Sequence, residues 1–385
     1  MSGLRSNRRK RWAIAAFALA GALGAVWTSN AQGRLLQWRL GRSVNQSAYV
    51  GQAACVACHA EIAAKYERSG MSHALTTAAE CETLRAGAPL RFALHGVDYR
   101  IERDGAGFSY TVSDGRESLT TPLLWCFGHG ASGHTFVVRY EGIYYETRVS
   151  YFTSLKGLEV TPGASRAPAA SLVSALGQPQ RHAEIQGCFT CHSTPLPQTK
   201  GVSLDQFSPS LGCEACHGPG SAHLAAQKAG GGPARVRQAI FNPARWTPDE
   251  MNQQFCGACH RNWETVMQMP NQGGVANVRF QPYRLANSKC YRNPDDRRIA
   301  CIACHDPHAP LGKEARAYDA RCLACHRGGE GAPAAAARQR TAPACRTGTR
   351  DCVVCHMPRI EPEGLFFKFT DHQIRIVRPG EPYPR

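Results

Sequence analysis

Seven times in this chain two cysteines stand three positions apart with a histidine directly after the second. The copies are Cys55–Cys58–His59, Cys188–Cys191–His192, Cys213–Cys216–His217, Cys256–Cys259–His260, Cys301–Cys304–His305, Cys322–Cys325–His326 and Cys352–Cys355–His356. Residues i and i+3 share one helix face, so both sulfurs of a pair reach the same edge of a flat macrocycle and can form thioethers with its two vinyl groups. The histidine one step later brings its imidazole under the iron as the proximal ligand. This is the attachment chemistry of haem c. A bare cysteine pair would serve equally as half a zinc site or as a redox dithiol. Neither use needs a histidine after every pair, and here all seven pairs have one although only 15 of 385 residues are histidine. The spacing predicts seven covalently attached haem c groups, each with its iron.

Removing the seven motif histidines leaves eight: His73, His95, His129, His134, His182, His223, His308 and His372. A six-coordinate, low-spin haem needs a second axial ligand. Seven irons and eight candidates point to mostly bis-histidine coordination. His95 lies in a strand-like run and is set aside as an ordinary surface or core histidine. His223 in "CHGPGSAH" and His308 in "CHDPH" follow their own motifs too closely to cross easily to the distal face, so each is expected to serve a neighbouring haem. His372, in "FTDHQIRI", sits in the tail and could close the last site. His129 and His134 form a pair in "CFGHGASGH", with His134 slightly favoured, and no local pattern supports His182. Methionine is the alternative sixth ligand: Met71 competes with His73, Met357 would point away from the iron of His356, and Met251, Met267 and Met269 read as gap-fillers.

Four cysteines stand outside the motifs: Cys81, Cys126, Cys290 and Cys345. Disulfides are the default in an oxidising compartment. Cys81 with Cys126 would bracket a strand-rich stretch, Cys290 with Cys345 is the other pairing, and thiolate ligation of iron is the alternative.

The elements that must position these groups are short. With about one haem per fifty residues, the chain is expected to wrap around porphyrin instead of building an ordinary aliphatic core, and 37 glycines and 24 prolines suit loop-rich wrapping. The expected fold is mainly α with irregular loops around stacked haems, plus a small antiparallel β insertion. The insertion is read from the alternation of Val97, Tyr99 and Ile101, then Phe108, Tyr110 and Val112, with turns at Asp104-Gly105, Asp114-Gly115 and Glu141-Gly142. Four segments follow: 1–31, an export signal or N-terminal anchor; 32–85, a first haem module; 86–165, a haem-free β-rich unit; and 166–385, a six-haem domain containing a surface loop at 328–350. In the first segment a cationic start leads into the apolar run 12–27, with Ser29 and Ala31 at the small-residue positions of a cleavage site. Sixteen apolar residues are short for a membrane span, but an uncleaved anchor through 12–27 is the rival. Either way the body is expected outside the cytoplasm, with the periplasm favoured over an extracellular or membrane-anchored location.

The formal charge is +16, and residues 1–31 contribute five cations and no acid, so the remainder is +11 (16 − 5). Seven haems would add about fourteen propionates, partly offset by ferric iron. The cations are scattered and propionates would take them up, so no nucleic-acid partner is expected. The expected partners are redox proteins.

The set of motifs also carries a resemblance. "YVGQAACVACH" with the Ser/Met/His element after it resembles the opening module of the nitrifier-type tetrahaem cytochrome c family, which takes electrons from hydroxylamine oxidation. "CEACHGPGSAH", "SKCYRNPDDRRIACIACHDPH", "DCVVCHMPR" and "TDHQI" resemble a broader set of exported bacterial multihaem cytochromes. The resemblance implies periplasmic electron transfer through closely stacked haems with histidine on both sides of iron, and makes His223, His308 and His372 distal ligands. Seven motifs instead of four, and a β unit between the first and the rest, depart from that family, so donor and acceptor do not carry over. An electron carrier leads. Its rivals are an oxidoreductase of a small nitrogen or sulfur compound at one five-coordinate haem, and a subunit of an extracellular haem wire.

Overall fold

A computed structural model describes residues 48–195, 204, 207–269, 273–291, 298–326, 345, 347–378 and 380. The expected export segment and most of the expected 328–350 loop lie outside them. No described helix is long and apolar enough to cross a membrane.

The first motif sits on α1 (Gln52–Tyr66), which is kinked at His59 itself. The chain then enters a curled antiparallel sheet. Its strands are β1 (Leu75–Thr77), β2 (Leu90–Leu94), β3 (Val97–Asp104), β4 (Gly107–Ser113), β5 (Ser118–Phe127), β6 (Gly133–Tyr140), β7 (Ile143–Thr147), β8 (Val149–Phe152), β9 (Gly157–Val160) and β10 (Gly177–Gln180). They run in the order β10-β7-β6-β5-β4-β3-β2, with β1 on β5 and β8 joining β6 to β9. Two of the hairpins close through two residues with positive φ: His95–Gly96 at 49° and 76°, and Glu141–Gly142 at 48° and 82°. That is the turn whose twist matches the strands it joins. His95 therefore lies in a turn, not in a strand.

This sheet corrects the expectation of a mainly α fold with a small β insertion. Ten strands form one sheet. Three-residue β1 and four-residue β10 carry no alternating pattern of their own. They become strands because β5 and β7 offer open edges, and a backbone beside such an edge satisfies its polar groups by pairing. The sheet thus recruits residues from outside 86–165.

The alternating residues point inward. Val97, Tyr99 and Ile101 are 9%, 1% and 0% exposed, and Phe108, Tyr110 and Val112 are 3%, 0% and 0%. They form the main core with Phe136, Val138 and Leu176. A second cluster uses another part of the sheet. Trp125 and Phe127 on β5 meet Phe189 edge-on at 4.9 and 5.6 Å, joined by Leu75, Val137 and Ile185. Phe189 and Ile185 belong to α2 (His182–His192), the helix of the second motif. The sheet therefore supports a haem-attachment helix directly.

The other motif helices are α3 (Cys213–His217), α4 (Gly257–His260), α5 (Cys301–Cys304), α6 (Asp319–His326) and α7 (Cys352–His356). Most are a single turn, and isolated helices of that length are not stable in water. Their order comes from tertiary contacts.

Candidate haem sites

An iron-bound imidazole usually donates its second ring nitrogen to a carbonyl, which fixes the ring and presents the other nitrogen to the metal. Five histidines have Nδ1 at a backbone carbonyl: His192 at Ala74 (2.9 Å), His217 at Phe241 (3.0 Å), His223 at Val236 (2.9 Å), His356 at Arg375 (2.9 Å) and His372 at Thr370 (3.0 Å). In each the Nε2 side is left to a ligand. Iron needs neutral imidazole, and burial supplies it: desolvation pushes His192, His217, His260 and His305 below the ordinary histidine value and His372 down to about 4.

Two imidazoles on opposite sides of one iron, with metal–nitrogen bonds of about 2 Å, place their ring centres about 6 Å apart. Three pairs stand at this separation: His59 with His223 at 6.4 Å and 28° between planes, His217 with His308 at 5.9 Å and 4°, and His305 with His372 at 6.1 Å and 38°. In each pair a motif histidine meets a histidine from outside the motifs. His223 and His308 stand opposite a neighbouring motif, not their own. His372 stands beside the fifth motif, not the last. These residues fit haem c.

The attachment cysteines come together across motifs. Cys55 and Cys213, Cys256 and Cys301, and Cys322 and Cys352 are neighbouring thiols that shift each other's ionisation, at places where the segments that carry them pack together. Cys216 lies near Cys256, and Cys322 near Cys304. Cys191 Sγ lies 3.9 Å from the Ala258 carbonyl, where α2 meets α4. Once haem is attached these sulfurs are thioethers, so the contacts locate neighbouring attachment points. Motifs one, three, four, five, six and seven follow one another in a row, and motif two stands beside motif four.

A polar acceptor sits at each close junction. Buried Glu214, between Cys213 and Cys216, accepts the N–H groups of Val50 and Gly51 at 2.9 Å each and of Gly220 at 2.8 Å, tying motif three to the start of α1. Fully buried Asn252 accepts from Cys301 N at 2.7 Å and donates to Ile299 O at 2.8 Å, joining motifs four and five. Asp319 accepts from Asp351 N and Cys352 N at 2.8 and 2.9 Å, joining motifs six and seven. Lys65 of α1 pairs with Asp306 after motif five. None of these was read from the sequence. Glu214 had a signal, an acid inside a motif loop; Asn252 had none.

The remaining candidates are placed differently. His73 directs Nε2 to Glu67 O at 2.7 Å, His134 directs Nε2 to Thr83 Oγ1 at 3.0 Å, and His182 directs Nε2 to the Gln186 side chain at 2.9 Å. The ring of His129 lies against Gly70, where a Cβ would stand 2.9 Å from His129 Cδ2. That close approach explains the glycine. His95 bonds Arg166 O at 2.9 Å. Met71 lies in a short 3₁₀ turn with His73, and Met251 is buried at 2%. Met267 and Met269 pack on Val266, Phe280 and Tyr283. Cys81 and Cys126 are 1% and 0% exposed and adjacent as free thiols; their proximity holds Cys81 down to about 7, while burial pushes Cys126 up. Cys345 is exposed.

Residues 162–218, which hold the second and third motifs, match the family model described as cytochrome c554 and c-prime. No curated protein matches the sequence. Among solved structures, outer cell wall cytochrome OcwA is 14% identical with a TM-score of 0.39, covering 86% of this chain and 80% of that one. With the motifs they contain, residues 162–218 support an electron-transfer protein of the c-type cytochrome kind, carrying covalent haem and iron.

Proposed function

We propose that the chain is a heptahaem c-type cytochrome, exported from the cytoplasm, that passes electrons along closely packed haems with histidine on both faces of most irons. The observation that carries this is the row of neighbouring attachment segments, from motifs one and three through four and five to six and seven, each junction held by a polar clamp. The haems supply one-electron iron couples. The motif cysteines would hold them through thioethers and the histidines through iron, with burial favouring the neutral imidazole at His192, His217, His305 and His372. His223, His308 and His372 are the distal ligands of haems one, three and five, supported by their ring separations. At the far end of the row, Val354 within the seventh motif is 65% exposed, which suits contact with a redox partner protein. Export is supported by residues 1–31, the cationic and apolar start.

The test is mass spectrometry of the purified ferric protein together with EPR. Seven attached haems, all low-spin, are expected of a carrier. Fewer than seven attached haems would sink the count.

One observation favours a second reading. Among the described residues no second imidazole stands opposite His192, His260 or His356 at the axial separation. A haem at one of these places would be open to a small nitrogen or sulfur compound. A high-spin signal that shifts on adding nitrite, hydroxylamine or sulfite would select that oxidoreductase over the simple carrier.

A further inference from the structure

Arg284 and Asp371 form a bidentate ion pair, Nε to Oδ1 and Nη2 to Oδ2 at 2.8 Å each, with side chains 1% and 0% exposed. Asp371 also accepts from Arg375 Nη1 at 2.7 Å and from Gln373 N at 3.0 Å. A buried ion pair gives weak net stability, because desolvation offsets the attraction, and apolar replacements of equal volume are often as stable. Its use is therefore sought in what it orients.

Asp371 directly precedes His372, in a segment whose regular structure is one two-residue ladder, Arg359–Ile360 with Phe369–Thr370. Such a ladder cannot fix a ring by itself. The short helix Gln281–Ala286 supplies the rest. Arg284 holds Asp371 from one side. Four residues on, Ser288 Oγ donates to His372 O at 3.0 Å and accepts from Ile374 N at 2.8 Å. The backbone on both sides of His372 is thus gripped from one scaffold, with the His372 ring 6.1 Å from that of His305. The same carboxylate reaches a second histidine. Asp371 binds Arg375, whose carbonyl accepts from His356 Nδ1 at 2.9 Å and whose N–H donates to His356 O at 3.2 Å.

We propose that the buried Arg284–Asp371 pair is a positioning device for two irons: it holds His372 opposite His305 at the fifth site and, through Arg375, orients His356 at the seventh. This rests on the heptahaem reading above. It makes residues 371–375 a mechanical link between axial ligands of two haems, so that a change at one is felt at the other. Arg284 and Asp371 act through the histidines and do not touch iron.

The experiment compares ferric holoprotein of Arg284→Met, Arg284→Lys, Asp371→Asn and Ser288→Ala with His372→Ala as reference, using EPR spin counting, haem mass and thermal unfolding. Arg284→Met is expected to keep seven attached haems, convert one from low- to high-spin with the signal of His372→Ala, and alter the low-spin signal of a second. Arg284→Lys, which keeps the charge but not the fork, should restore part of the low-spin signal, and Ser288→Ala should give the smallest change. A lower melting temperature with every haem's spin signal unchanged would overturn the proposal. Should Arg284→Met fail to mature, Arg284→Lys and Asp371→Asn decide on the same readouts. An unchanged spin count in His372→Ala itself would remove the ligand assignment on which the device depends, whereas fewer than seven haems in the unmutated protein would fault the heptahaem reading.

Discussion

The ten-stranded sheet buries Tyr99, Tyr110, Phe136 and Val138 to 1% exposure or less. In the motif-bearing residues that follow, the most deeply buried side chains include Arg284 at 1% and Asn252, Ser288 and Asp371 at 0%. One region is closed by apolar side chains against each other, each fully buried one contributing about 1.5–3 kcal/mol. The other adds hydrogen-bonded polar groups between short helices to a small apolar cluster of Val266, Phe280 and Tyr283. Polar clamps are specific in direction but give little net stability. The difference teaches that the sheet carries its own folding energy, while the motif rows, on the heptahaem reading, would draw theirs from attached haem. At the second motif the two meet, because Phe189 and Ile185 of α2 are buried against the sheet.

Three experiments would break or sharpen this contrast. The largest effect is expected when the chain is produced without haem attachment. The motif rows should fail to fold, and limited proteolysis should leave a resistant fragment spanning about the ten strands; uniform resistance of the whole chain, or its uniform loss, would contradict the division. Next, Phe136→Ala empties the sheet core and should cost about 3–5 kcal/mol in thermal or denaturant unfolding with the haem spectrum unchanged. A spectral change there would mean that sheet packing and haem ligation are one unit. Smallest, Glu214→Ala removes the acceptor of three backbone N–H groups and should cost about 2–3 kcal/mol. It should also perturb the low-spin signals of the first and third haems, and Glu214→Gln should keep part of both. An unchanged spectrum would show that the clamp stabilises without orienting.

The parts of the site that were legible were those whose chemistry is local. The alternation of Val97, Tyr99 and Ile101 and the Glu141–Gly142 turn were legible because strand period and turn conformation depend on neighbours. β1 and β10 were not, since their pairing is imposed by edges elsewhere, and the sheet was accordingly underestimated. Among the second axial candidates, sequence kept His73, His134 and His223 all in play, with His223 named a distal ligand only by the resemblance. The structure separates them by which ring nitrogen is taken: Nε2 in His73 and His134, Nδ1 in His223.

By itself the sequence determined the seven candidate attachment motifs, because one helical turn holds both cysteines and the histidine of each. Only the tertiary structure decided which imidazoles face each other, the order of the motifs in space, and the use of Glu214, Asn252 and the Arg284–Asp371 pair. The physical reason is reach. A thioether pair is complete within five residues, whereas an axial partner or a buried carboxylate acquires its role from whatever distant backbone is folded against it.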